Sequence, residues 1–156
     1  MAASAEPPTV PTTPAAPTPV HRRLSSLTLV FVGGSVGVAI REALSLVFPP
    51  VPGGIPWVVL AINVTGAFLL GFLLDALARS GPDAGHRRRL RLLLGTGLLG
   101  GYTTYSGLAT DTATLLGGST PAAGPAYALA TVLLGALATG LGIVLATLTQ
   151  RGRRTR

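Results

Sequence analysis

Three groups of residues in this 156-residue chain have the chemistry to handle ions. Asn63 lies among apolar neighbours, and its amide NH2 is a donor pair suited to an anion. A hydrogen bond to another helix is an equally good use of that amide, since burying it unpaired costs about 2 kcal/mol or more. The stretch Gly100, Gly101, Tyr102, Thr103, Thr104, Tyr105, Ser106, Gly107 crowds glycines and hydroxyls into an apolar run. If the helix breaks there, freed carbonyls suit a cation, while freed N–H groups and hydroxyls suit an anion. The competing reading is an unbroken helix whose Thr and Ser hydroxyls bond back to the preceding turn. Arg41 is the third group, because one guanidinium at a pore mouth raises the local anion concentration.

Catalysis has no comparable candidates. The sequence contains no Ser-His-Asp set, no paired catalytic carboxylates and no phosphate-cradling loop. Having no cysteine, it has no disulfides, thiolate nucleophiles or zinc-thiolate sites. His21 and His86 lie among arginines outside the apolar runs and read as flanking residues. The chain is therefore read as a protein other than an enzyme. Asn63-Val64-Thr65 matches a glycosylation sequon, but its place in an apolar run makes that a false match.

The elements that must position these residues follow from composition. With 48% hydrophobic residues, 21 glycines and 11% charged residues, the chain is too apolar for an ordinary soluble domain. An all-α membrane protein of four transmembrane helices is expected, since a helix needs about 20 residues to cross a bilayer. The first span runs from Leu24 through Arg41 and Glu42 to Phe48, where Pro49 and Pro50 stop it. The second occupies Ile55 to about Arg79, the third Leu92 to about Leu116, and the fourth about Ala126 to Gln150. Before them, residues 1–23 form a Pro-, Ala- and Thr-rich arm that is expected to be disordered; after them, 151–156 is a basic tail. Gly33 and Gly37 on the first span, and Gly66, Gly71, Gly97, Gly100 and Gly101 on the next two, allow backbones to approach closely.

A net charge of +7 would ordinarily suggest nucleic acid. Here all basic residues are arginine, and most stand outside the apolar runs, so they are read as topology determinants and no nucleic-acid partner is expected. Arg22 and Arg23, then Arg87, Arg88, Arg89 and Arg91, then Arg151, Arg153, Arg154 and Arg156 share one side. Residues 49–55 and 117–125 carry no charge. Both termini are accordingly expected in the cytoplasm of a cell-membrane protein.

Several motifs resemble, in order, those of the CrcB/Fluc family of bacterial fluoride channels. Gly33–Glu42 (GGSVGVAIRE) resembles the family's first-helix glycine motif ending in arginine. Asn63–Gly71 (NVTGAFLLG) is similar to its second-helix signature, and Gly97–Asp111 (GLLGGYTTYSGLATD) to its third-helix break. Ala126–Gly135 (AYALATVLLG) resembles its fourth helix, with Tyr127 and Thr131 one turn apart on a shared face. The resemblance implies an antiparallel dimer with two narrow pores for fluoride and a third helix broken mid-membrane. It also implies pore roles for Asn63, Tyr105, Ser106, Tyr127 and Thr131, a vestibule role for Arg41, and a structural sodium ion at the dimer interface held by the carbonyls of Gly100 and Thr103.

Departures from the family pattern shape a further expectation. Tyr105 and Leu108 stand where two phenylalanines are usual, Asp111 replaces a glutamate, and Glu42 follows Arg41 where an aromatic is common. A homodimer needs a balanced charge bias, whereas this arginine distribution inserts one way. An oppositely oriented paralogous subunit supplying the missing aromatics is therefore expected, with a homodimer as the other arrangement. The alternatives from other classes are a proton-coupled small multidrug exporter and a non-conducting membrane assembly subunit. The exporter requires a carboxylate deep in the first span, and Glu42 lies near that span's exit.

Overall fold

The computed structural model describes residues 24–154, with side chains through Gln150. Residues 1–23, where the disordered arm is expected, and the last two residues of the basic tail lie outside this range. The described chain is all-helical: α1 (Leu24–Val47), α2 (Trp57–Arg79), α3 (Gly85–Leu90), a π-helical segment (Arg91–Leu99), α4 (Gly100–Tyr102), α5 (Tyr105–Leu116) and α6 (Ala123–Arg154). Three of these, α1, α2 and α6, are long and apolar enough to cross a membrane.

Prolines fix several ends. α1 stops just before Pro49 and Pro50, and α2 begins directly after Pro56. α6 starts earlier than the sequence suggests, at Ala123, with Pro125 inside its first turn. The missing N–H of a proline costs nothing there, because first-turn N–H groups have no helical partner anyway. The third apolar stretch differs more. It is helical from Gly85 rather than Leu92, passes through the π segment, and stops at Thr103 and Thr104, whose backbones are extended (φ −75°, ψ 155° and φ −143°, ψ 120°). Helix resumes at Tyr105, with the Thr104 hydroxyl accepting the Gly107 N–H at 2.9 Å as an N-cap.

Close backbone contact holds the helices together. Gly33 and Gly37 lie flat on the π segment, where a Cβ on Gly33 would meet Leu93 O and the Leu98 nitrogen, and one on Gly37 would meet Leu98 O and the Tyr102 nitrogen. Along the other seam Gly71 meets Thr139 and Gly142 meets the Phe68 carbonyl, joining α2 to α6. Gly100 is the exception among the predicted contact glycines: a Cβ there would meet nothing within 4 Å.

The buried apolar core is small. Leu108 and Leu115 of α5 pack on Tyr127 of α6, and Ile62 of α2 is fully buried. Much of the apolar surface faces outward instead, as with Phe31 on α1 and Leu137 and Leu141 on α6. Helices that are apolar all round need lipid or protein on their outer faces.

Candidate functional site

The interruption at Thr103 and Thr104 organises the candidate site. An extended residue between two helices takes its N–H and C=O out of the helical ladder, and in an apolar setting both need partners. Asn63 on α2 supplies them for Thr104. Its Nδ2 donates to the Thr104 carbonyl at 3.0 Å, and its Oδ1 accepts the Thr104 N–H at 2.8 Å. Thr103 stays tied to the preceding turn, its N–H and hydroxyl both donating to Leu99 O at 3.0 and 2.9 Å. Asn63 is half-buried, and these two bonds leave one N–H of its amide for another acceptor.

Two grooves meet at Thr104. One, of about 330 Å³, lies between α2, α5 and α6; Asn63, Thr103, Tyr105, Leu108, Thr131 and Thr139 are among its lining residues. Tyr105 is 84% exposed at its edge. Thr131 is buried, and its hydroxyl donates to the Tyr127 carbonyl at 2.8 Å. The second groove, of about 310 Å³, is polar, with Arg41, Glu42, Ser45, Ser106, Thr110 and Asp111 in its walls. Ser106 Oγ lies 3.2 Å from Thr104 Oγ1, linking the two grooves through hydroxyls. Arg41 is not a free cation there, since its Nη2 donates to Glu42 Oε1 at 3.2 Å.

Tyr127 bridges the grooves from behind. It is buried against Leu108 and Leu115, and its hydroxyl donates to Asp111 Oδ2 at 3.4 Å. A run of polar groups thus extends from Arg41 and Asp111, past Ser106 and Thr104, to Asn63 and Thr131. The Asn63 amide and the hydroxyls of Thr104, Tyr105 and Ser106 along it can donate to an anion with little hydration left, while at the Arg41 end two carboxyl groups, Glu42 and Asp111, stand against one guanidinium.

The family profile described as CrcB-like protein, Camphor Resistance (CrcB), matches residues 28–143. The chain belongs to this family. Within it, the CrcB chain is 50% identical over 127 residues to the fluoride-specific ion channel FluC 2 of Leifsonia xyli subsp. xyli, covering 81% of this chain and 87% of that one. It is 45% identical over 118 residues to the fluoride-specific ion channel FluC 1 of Cutibacterium acnes, covering 76% and 82%. To the fluoride-specific ion channel FluC of Mesorhizobium japonicum it is 41% identical over 128 residues, covering 78% and 95%.

This CrcB chain brings together most of the residues singled out in the sequence. Asn63, Thr103, Tyr105 and Thr131 share the first groove and Arg41 and Ser106 the second, while Tyr127 lines neither and is buried behind them against Leu108 and Leu115. Gly100 stands apart, exposed on the surface of the chain. Thr104, which lines both grooves and receives the Asn63 amide, was not singled out as a site residue. The signal was present in the Thr-Thr-Tyr-Ser run, but sequence alone does not say which of two adjacent threonines turns its backbone toward α2. Thr139 was also missed; its hydroxyl reaches Ala67 O at 3.3 Å, within a fourth helix otherwise read for Tyr127 and Thr131.

Outside the membrane-capable helices, Asp83 anchors the basic turn. Its Oδ2 accepts from Arg91 Nη2 at 2.8 Å and its Oδ1 from Arg91 Nε at 3.1 Å, while Arg88 donates to its main-chain carbonyl. The hydrogen bond from Arg91 holds the Asp83 carboxyl below its ordinary range.

Proposed function

We propose that this chain is a subunit of a fluoride-selective channel that lowers cytoplasmic fluoride by passive export. The observation that carries the reading is the clasp of Asn63 on the main chain of Thr104, which leaves an amide N–H in a groove shared with the Thr104 and Tyr105 hydroxyls. Fluoride is small and strongly hydrated, so a selective path must replace its water with close donors. In this reading Asn63, Tyr105, Ser106, Tyr127 and Thr131 line the path and Arg41 attracts the anion at its mouth. Weak acid enters the cell as neutral HF and ionises inside. A negative-inside potential then favours anion exit by about 2.3 kcal/mol per 100 mV, so no coupled energy source is required.

In the same reading α3, the π segment, α4 and α5 together form a fourth crossing, interrupted within the membrane at Thr103 and Thr104. The arginines of residues 87–91 and the uncharged connections on the other side put both termini in the cytoplasm of a cell-membrane protein. One-way insertion calls for an oppositely oriented paralogous partner that completes the groove beside the exposed Tyr105. A sodium ion at the interface fits neutral oxygen donors: Gly100 is exposed with nothing packed over it, and Thr103 is extended, so their carbonyls are suited to be shared with a second subunit. That ion would fix the two subunits against each other and takes no part in anion transfer.

Fluoride efflux from vesicles is the test, with this chain reconstituted alone and together with a four-span paralogue of opposite loop charge. Efflux only from the mixture supports the paired channel. Full efflux from this chain alone removes the need for the partner, and no efflux from either removes the channel reading.

A further inference from the structure

The polar groove at Arg41 holds more negative charge than an anion entrance needs. One guanidinium, that of Arg41, faces two carboxyl groups, Glu42 beside it on α1 and Asp111 across on α5. Of the two, Glu42 is the one that engages Arg41, accepting from Nη2 at 3.2 Å. The Arg41 side chain is 22% exposed and that of Glu42 60%, so of the paired groups the carboxylate is the more open. Asp111 is occupied from the other direction by the Tyr127 hydroxyl. No other ionisable side chain is among the lining residues, which otherwise are Ser45, Val59, Thr104, Ser106, Gly107 and Thr110.

We infer that Glu42 is an electrostatic attenuator of the anion entrance: by pairing with Arg41 in the wall of the groove, it cancels the guanidinium's attraction and limits how fast anions reach the groove. The adjacent placement explains how this is possible. Residues next to each other on a helix point about 100° apart, so Glu42 reaches sideways along the groove wall to meet Arg41. A charge so placed acts on arrival, where long-range attraction sets the encounter rate and salt screens it. For fluoride the inference rests on the channel reading, but the groove's potential is measurable without it.

Two readouts separate the two ideas. The chain contains no cysteine, so Thr110→Cys places a single thiol on the groove wall. Its rates of reaction with an anionic and a cationic methanethiosulfonate are compared with and without Glu42→Gln. Loss of one negative charge across the groove should speed the anionic reagent and slow the cationic one about twofold each, raising their ratio about fourfold at 20 mM salt, with little change at 1 M. Glu42→Asp, which keeps the charge, should leave the ratio near its starting value. In a conducting assembly, Glu42→Gln should raise fluoride efflux about twofold at low salt and low fluoride. An unchanged or lowered reagent ratio in Glu42→Gln overturns the attenuator. A raised ratio without any fluoride efflux from the unmodified assembly overturns the channel reading alone. A raised ratio with efflux unchanged or reduced, in an assembly that conducts, shows that Glu42 does not limit entry and also overturns the proposal.

Discussion

Replacing Asn63 by Leu, similar in size and branching, should unfasten the interrupted helix while leaving the packing volume nearly intact. The perturbation removes two hydrogen bonds at once, at 3.0 and 2.8 Å, and leaves the Thr104 N–H and C=O without the amide that serves both. Interhelical hydrogen bonds in membrane proteins average about 0.6 kcal/mol and reach about 1.7, so the pair is worth about 1 to 3 kcal/mol. Spent on the backbone at Thr104, that shifts the balance between the held and released arrangements by about tenfold to a hundredfold. Thr104 also caps α5 through Gly107, so release should loosen the start of that helix and with it Tyr105 and Ser106. Thermal unfolding in detergent and fluoride efflux from vesicles, measured on the same preparations, read the two consequences. Asn63→Leu should lower the unfolding midpoint by several degrees and reduce efflux at least tenfold. Asn63→Gln, which keeps the amide but moves it one methylene outward, should fall between Leu and the unmodified chain. An Asn63→Leu chain with an unchanged midpoint and unchanged efflux would refute the clasp as an organising contact.

Other perturbations probe separate parts of the chain. Gly37→Leu puts a side chain onto Leu98 O and the Tyr102 nitrogen, backbone atoms with no room to give, and should destabilise the α1 seam by at least about 1–3 kcal/mol in detergent unfolding. Tyr127→Phe keeps the ring against Leu108 and Leu115 but removes the hydroxyl that reaches Asp111; stability should change by no more than about 1.5 kcal/mol while fluoride efflux falls several-fold. Asp83 has its carboxyl lowered by the hydrogen bond from Arg91, so the stability from this pair is fully present above the ordinary carboxylate range and is lost as pH falls through the lowered value. Unfolding midpoints between pH 2 and 6 should therefore drop less steeply in Asp83→Asn than in the unmodified chain. Replacing sodium by a large organic cation should weaken association of the paired subunits on size-exclusion chromatography, without altering the helix content of either.

What the sequence disclosed depended on how local the cause was. One helix end set by prolines was legible, since Pro49 and Pro50 follow the end of α1, whereas the second span was begun at Ile55 and α2 starts at Trp57, after Pro56. Pro125 misled, because the same residue that ends a helix is tolerated in a first turn, and only the surrounding chain decides which role it takes. The arginines at 87–91 were read as a connection and are in fact helical, held by Asp83, whose carboxylate takes two bonds from Arg91 and whose main-chain carbonyl takes two from Arg88. Charge pattern bears on topology and says nothing about backbone conformation. The π segment left no trace in the pattern, since a helix that is apolar on most faces looks the same at either pitch. Asn63 was recognisable as a residue that must find partners, but the partner is 41 positions away and is a main-chain group, which no side-chain motif encodes.

Two unrelated observations bear on whether this chain works alone. The first is electrostatic: on the topology proposed above, the arginines that would set orientation lie on one side, and the connections at residues 49–55 and 117–125 carry no charge to oppose them. The second is steric: at the mouth of the donor-lined groove Tyr105 is 84% exposed, while Leu108, where the family pattern leads one to expect a second aromatic, turns inward to pack on Tyr127. A phenol ring left that far out of its own chain has most of its hydrophobic area uncovered. Lipid could cover the ring, yet lipid offers no donors, and a groove open to hydrocarbon would strand an anion among the Thr131 and Asn63 side chains. A protein wall is required for conduction, and with one-way insertion a copy of the same chain arrives with its groove facing the wrong side of the membrane. In the channel reading proposed above, the electrostatic and steric arguments call for the same companion, a subunit of reversed loop charge carrying its own aromatic edge.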